Sequence, residues 1–341
     1  MISQFITTYF GAGWATGLHY FFVFYPIWLP IILCVLFFQM WLRYVRTEFV
    51  QKQGKVFLEV KIPREILKSP RAMEIFFTSL YQTGSATWIE SFYNGKVRPW
   101  FSFEIASFSG EIHFYIWAWK KWRNHIEAQL YAQYPDIEIY EAEDYALKLK
   151  HDPDTMPFWA TYFRYTKPSA YPIKTYIDYG LDADPKEEFK IDPMTSTLEY
   201  MGSLKQGEQV WLQILIQAHR KETVKDDATL FPRGFWKDAA MEEKKKLIAK
   251  YREANKPIDD PDIKQPPIPL TKGEQDVIAA IERSMHKTPF EVTIRGFYIA
   301  PKEIFNNHLG ISGLIGSLRQ YNSDELNGFR LGRFTDYDYP W

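Results

Sequence analysis

Glu111 and His113 stand two residues apart, and at that spacing a carboxylate and an imidazole share one face of a strand. These are side-chain types that zinc and non-haem iron take as ligands. A third ligand at a suitable spacing is missing, because His125 falls in a helical segment and nothing in the pattern brings it to the pair. Glu138, Glu141, Glu143 and Asp144 crowd the end of the same stretch and read as the solvated side of a strand and its exit. Glu111, His113 and Tyr115 are therefore expected to form a polar contact face. No catalytic residue, cofactor or metal is expected.

Phosphate chemistry also lacks its usual signature. "GISGLIGSLRQ" (Gly310–Gln320) is spaced by glycines but has no Lys-Ser/Thr to grip phosphate and magnesium. Gly310, Gly313 and Gly316, three apart, read as close helix packing, and His308 as a surface or capping residue. G-x-S-x-G, H-E-x-x-H and G-x-G-x-x-G are absent. Cys34 is the one cysteine, which excludes an intrachain disulfide and a multi-cysteine zinc site.

The charges that do occur are unevenly placed. The chain carries 41 basic and 42 acidic residues, a balance that argues against direct nucleic-acid binding. Residues 1–42 contain no Lys, Arg, Asp or Glu at all. Within them Tyr20–Leu42 is a run of 23 residues whose only strongly polar side chain is Gln39. About 20 such residues span a bilayer as a helix, and this run has no polar face. It lacks the basic start and the short apolar run of a cleaved signal. Pro26 and Pro30 fall in its outer half, and Tyr20, Tyr25, Trp41 and Tyr44 are placed for interfacial belts. Eight Lys and Arg against three Glu follow between Arg43 and Arg71, which predicts an external amino end and a cytoplasmic remainder in a single-pass protein of the cytoplasmic membrane. The expected layout is a short external segment 1–19, a span 20–42 and a basic juxtamembrane segment 43–52.

Strand and helix periods then alternate. "GKVFLEVKIP" (Gly54–Pro63) has period two. In "SPRAMEIFFTSLYQ", Ser69 is placed to cap, Pro70 to open a helix, and Met73, Phe76, Phe77, Leu80 and Tyr81 to form its apolar stripe. Residues 98–119 read as a hairpin turning near Ser107–Gly110. Trp122, Ile126, Leu130 and Tyr134 follow at helical spacing up to Pro135. "DIEIYEAEDY" resumes the alternation, with Ile137, Ile139 and Ala142 inward. The order is βαββαβ, a ferredoxin-like unit over residues 53–150.

Residues 151–341 repeat that order with an insertion at 220–288. Phe158–Gly180 reads as a long bent strand, Asp192 caps a helix, Glu208–Ala218 is apolar enough for a central strand, and Pro289, Pro301 and Leu326 open a strand, a helix and a short last strand. The insertion holds a charged helix (residues 234–256), a linker with five prolines (Pro257–Thr271), and a helix opened by a capping box of Thr271 and Glu274. Its charged helix and proline linker (residues 234–271) are the candidate partner contact, with Trp236, Lys244, Lys245 and Tyr251 as the residues. The fold class is α+β: one transmembrane helix followed by two ferredoxin-like units.

"EIHFYI", "EAQLYAQYPDIEIYEAEDY", "GSLKQGEQVWLQILI", "TIRGFYIAPKEIF" and "ELNGFR", spread over most of residues 53–332, together carry a resemblance. They resemble the amino-terminal region of membrane-associated proteins linked to TraC-like conjugation and type IV secretion ATPases, found notably in Patescibacteria. The resemblance implies a membrane-side domain that works with a P-loop ATPase of the HerA–FtsK superfamily. This chain ends at Trp341 without a nucleotide-binding motor, so that ATPase is expected in a separate chain or in a longer form of this one. Membrane lipid and the ATPase are the expected partners, and a homo-oligomer stays open. The expected function is a non-catalytic docking or assembly component of a secretion or DNA-transfer system. A membrane-tethered nucleic-acid-binding protein and an enzyme without a familiar signature are the alternatives.

Overall fold

In the computed structural model, residues 19–63, 70–84, 86–149, 152, 154–182, 192–219, 236–254 and 270–335 are described. Two compact units divide the chain. The first holds α1 (Tyr25–Gln53) together with residues 86–97, which contain the short α3 (Trp88–Phe92). α1 is long and apolar enough to cross a membrane, and its apolar stretch is not buried. At about 1.5 Å per residue its 29 residues reach about 44 Å. The expected juxtamembrane segment 43–52 is the continuation of this helix. Lys52 pairs with Glu48 one turn away, at 2.6 Å.

The second unit is an eight-stranded sheet with helices, and every neighbouring pair of strands runs antiparallel. Its strands are β1 (Lys55–Lys61), β2 (Trp100–Phe108), β3 (Glu111–Trp119), β4 (Glu138–Glu141), β5 (Phe158–Tyr165), β6 (Gln209–Ala218), β7 (Phe290–Ile299) and β8 (Phe329–Phe334). They are ordered β4-β1-β3-β2-β6-β7-β5-β8. β2 and β6 pair from Trp100–Gln217 to Phe108–Gln209, which joins the two halves into one sheet. The joint places β6 at the centre, as its apolar run predicts.

Alternation along the strands sends one set of side chains to each face. Val56, Leu58, Val60, Phe101 and Ile116 meet Phe76 and Leu80, on and just after α2 (Arg71–Ser79), and Ile126 and Leu130 of α4 (Arg123–Gln133). Further along that face, Ile105, Val210, Trp159 and Tyr298 meet Met201 of α6 (Pro193–Gly202) and Leu314 of α9 (Ser312–Arg319). Fully burying each such side chain contributes about 1.5–3 kcal/mol. Phe57, Ala106, Tyr115, Trp211 and Ile299 take the opposite face and are covered by Tyr145 of α5 (Tyr145–Lys148). Ala142 packs there, on the other side of the sheet from Ile137 and Ile139.

The β2–β3 turn falls at Ser109–Gly110, with φ of 56° and 90°. Two consecutive positive φ values are what a two-residue type I′ hairpin requires. A side chain on Gly110 would come within 2.9 Å of the Gly202 carbonyl oxygen. The turn is tied to the other half of the sheet, since Ser109 N–H donates to the Glu208 carbonyl oxygen at 2.8 Å. Gly207 N–H in turn donates to Ser109 Oγ at 2.9 Å.

Three local expectations change. The expected capping residue Ser69 lies outside the described residues, and Pro70 occupies the N-cap position of α2. β5 ends at Tyr165, well before Gly180, because the side chain of Asn327 takes up the chain beyond it. Asn327 Oδ1 accepts from Lys167 N–H at 2.9 Å, and Nδ2 donates to the Tyr171 carbonyl at 2.9 Å. The helix expected from Pro301 begins at Asn307, where Asn306 Oδ1 accepts from the N–H groups of exposed His308 and of Leu309. A Cβ on Gly310 or Gly313 would meet the ring of Tyr298 or Tyr200, so both serve close packing, whereas the corresponding space at Gly316 is open. The proline linker lies outside the described residues up to Pro269.

Candidate functional site

β3 carries Glu111, His113 and Tyr115 on one face, and the structure separates them. Glu111 is exposed. His113 is half-buried, and its Nδ1 lies 2.8 Å from Glu59 Oε1 on β1. Its ring stacks on Tyr115 at 5.9 Å. Tyr115 does not belong to an exposed face: it is 8% exposed, because the chain after β4 folds back and lays Tyr145 beside it. Burial, reinforced by the Glu59 carboxylate, pushes the Tyr115 phenol up to about 12. His125 points elsewhere, its Nε2 lying 3.2 Å from the Ser79 carbonyl oxygen. Among the described residues no three His, Cys, Asp or Glu side chains are grouped to hold a metal.

A buried polar cluster lies on the same face and centres on Glu104, a buried glutamate in the middle of β2. Ser102 Oγ donates to its Oε1 at 2.6 Å. Its Oε2 accepts from the Tyr145 hydroxyl and, at 3.1 Å, from Gln213 Nε2 on β6. Burial and the neighbouring Glu104 hold the Tyr145 phenol far above its ordinary range, so it stays protonated and donates. Two strand residues and one from the returning segment thus satisfy one buried carboxyl. The arrangement fastens the returning segment across the β2–β6 joint. A lone Glu at the centre of an apolar strand was the one sequence signal for this cluster. Its partners Tyr145 and Gln213 come from 41 and 109 residues away, and no local pattern links them to it.

The inserted helices, α7 (Trp236–Ala254) and α8 (Lys272–Met285), pack on each other. Leu247 of α7 meets Val277 and Ile281 of α8, with Tyr171, Tyr251 and Leu326 around them. The candidate contact residues therefore divide. Tyr251 is packed in this cluster, and Lys244 Nζ is held by Glu282 of α8. Trp236 is half-buried and Lys245 is exposed. Beside them opens a cleft of about 450 Å3 lined by Lys167, Tyr171, Glu243, Lys250, Tyr251 and Glu325, among others. That volume falls within the range of small-ligand and side-chain sites, about 300–1,000 Å3. Lys167 is occupied there, its Nζ donating to the carbonyl oxygens of Asp324 and Glu325. The α8 capping box is present, with Thr271 Oγ1 accepting from Glu274 N–H and Thr271 N–H donating to Glu274.

The family model for a domain of unknown function, DUF8128, matches residues 43–327, well over half of the chain. The chain belongs to the DUF8128 family. The match runs from the first charged residue of α1 to the buried Asn327 before β8, so this DUF8128 region takes in the Glu104 cluster, the inserted helices and residues 86–97. No curated protein and no solved structure matches the chain.

Proposed function

We propose that this DUF8128 protein is a non-catalytic docking component that α1 anchors in a membrane. On this reading it holds a P-loop ATPase of a type IV secretion or conjugative DNA-transfer system at the cytoplasmic face. The observation that carries the proposal is α1, an apolar surface left uncovered by its own unit and followed at once by a folded sheet unit. Leaving so many Phe, Ile, Leu and Trp side chains in water is unfavourable by about 25 cal/mol per Å2 of apolar surface. A bilayer removes that penalty. The basic excess after Leu42 supports the cytoplasmic side.

We read each half of the sheet as a ferredoxin-like unit. The orders β4-β1-β3-β2 and β8-β5-β7-β6 are the same order twice, which supports two such units sharing one sheet. The ATPase partner rests on the sequence resemblance alone, and the exposed side of α7 around Lys245 is the surface assigned to it. The full-length protein solubilised from its native membrane should bring down a P-loop ATPase. Recovery of nucleic acid or metabolic enzymes alone would remove the secretion reading.

A further inference from the structure

Residues 86–97 run between α2 and β2, yet they belong to the unit of α1. They grip that helix at one level. The Phe92 ring lies 5.2 Å from that of Phe38, and Trp41 Nε1–H donates to the Phe92 carbonyl at 3.1 Å. Gly95, at a φ of +62°, lies so close to Val45 that a Cβ would stand 2.2 Å from the Val45 carbonyl oxygen. Val45 is buried as a result. Phe38, Trp41 and Val45 bracket the point where the uncharged run ends at Leu42 and Arg43 begins.

Several polar groups of this short segment pair with one another. Thr87 N–H donates to Glu90 Oε2 at 2.9 Å and Glu90 N–H to Thr87 Oγ1 at 3.3 Å, closing a capping box on α3. Lys96 Nζ pairs with Glu90 at 3.0 Å, and Lys96 N–H donates to the Glu90 carbonyl at 2.9 Å. Its large apolar side chains turn outward: Trp88 is 59% exposed, Ile89 62% and Tyr93 66%. Tyr44 and Trp41 add to the same exposed aromatic set on α1.

We infer that α3 is a second membrane contact, an aromatic foot lying in the lipid headgroup–acyl boundary beside the end of the span. This rests on α1 being a membrane span. Lipid is the occupant the surface fits. The foot sits level with the charge step of the helix. It continues the uncovered apolar surface of α1 sideways, and it consists of Trp, Ile and Tyr, of which Trp and Tyr concentrate at membrane interfaces. The pairing of Thr87, Glu90 and Lys96 within the segment lowers the cost of bringing those groups to a low-dielectric boundary. A short helix clamped to a span in this way fixes the rotation and depth of the span, which a lone helix leaves to its flanking residues.

The test uses the full chain with Cys34→Ser, reconstituted in phosphatidylcholine–phosphatidylglycerol vesicles. A fluorophore is placed singly at Leu36→Cys, Ile89→Cys or Glu143→Cys. Nitroxide-bearing lipid should quench the probes at 36 and 89, and aqueous iodide the probe at 143 only. Lipid quenching at 36 with iodide quenching at 89 overturns the foot and leaves the span standing. Iodide quenching at 36 removes the span and the foot together. A probe at 89 reached by neither quencher means that protein covers α3, which also overturns the inference.

Discussion

The Glu104 carboxyl is held by Ser102, Tyr145 and Gln213, with no cationic partner among the described residues, so its burial depends on neutral donors. A hydrogen bond to a carboxyl is worth about 1–3 kcal/mol, and a stranded buried partner costs about as much. Tyr145→Phe should therefore lower stability by about 1–3 kcal/mol in urea unfolding, and an unchanged midpoint would mean that the clamp contributes nothing. His113→Ala should cost less than about 1 kcal/mol, because the pair with Glu59 is partly solvated. Tyr115 carries a pH signature. Its phenol is raised in the folded state from 10 to about 12, so the folded protein keeps a proton that the unfolded chain loses. The contribution is complete below pH 10 and disappears as pH rises through 12, at about 1.4 kcal/mol per pH unit. Tyr115→Phe should flatten the alkaline fall in stability over that window, and parallel wild-type and variant curves would contradict the assignment. At this scale the sequence placed His113 on the correct face but did not supply Glu59, whose approach depends on the β1–β3 register. It also took Tyr115 as exposed, since alternation identifies a face and does not say what later folds over it.

Elements were legible where a period persists. The strands β1, β3, β6 and β7, the α2 stripe and the α8 capping box all follow from spacing and caps, because those depend on neighbours in the chain. α3 was missed although Thr87-x-x-Glu90 is a capping-box pattern, because five residues give too little period to notice. The end of β5 was missed because Asn327, 160 residues on, decides it. Gly110→Ala should destabilise by about 1–3 kcal/mol from the positive φ alone, with more from the approach to Gly202. Thermal unfolding checks this, and a wild-type midpoint would rule out the type I′ turn. Ile126 is fully buried under the first half of the sheet, so Ile126→Asp should cost several kcal/mol as an unpaired buried charge. Retention of a cooperative transition near the wild-type midpoint would show that α4 is not seated there. Removing α7 would uncover Val277 and Ile281, so the insertion contributes a core of its own as well as a charged surface.

For the whole molecule, the order of strands and helices in both halves was legible, but not the β2–β6 joint that makes them one sheet. Two strands with similar apolar runs do not announce that they pair. The apolar helix was legible from its missing charges alone, and the proposal that α1 spans a membrane with the sheet unit on the cytoplasmic side depends on it most. The direct measurement is labelling of a single Glu143→Cys, in the Cys34→Ser background, by a membrane-impermeant maleimide in intact expressing cells. Glu143 is a suitable position because its side chain is 82% exposed. The account predicts no labelling until the membrane is permeabilised, and full labelling afterwards. Ready labelling in intact cells would place the sheet unit outside and contradict it.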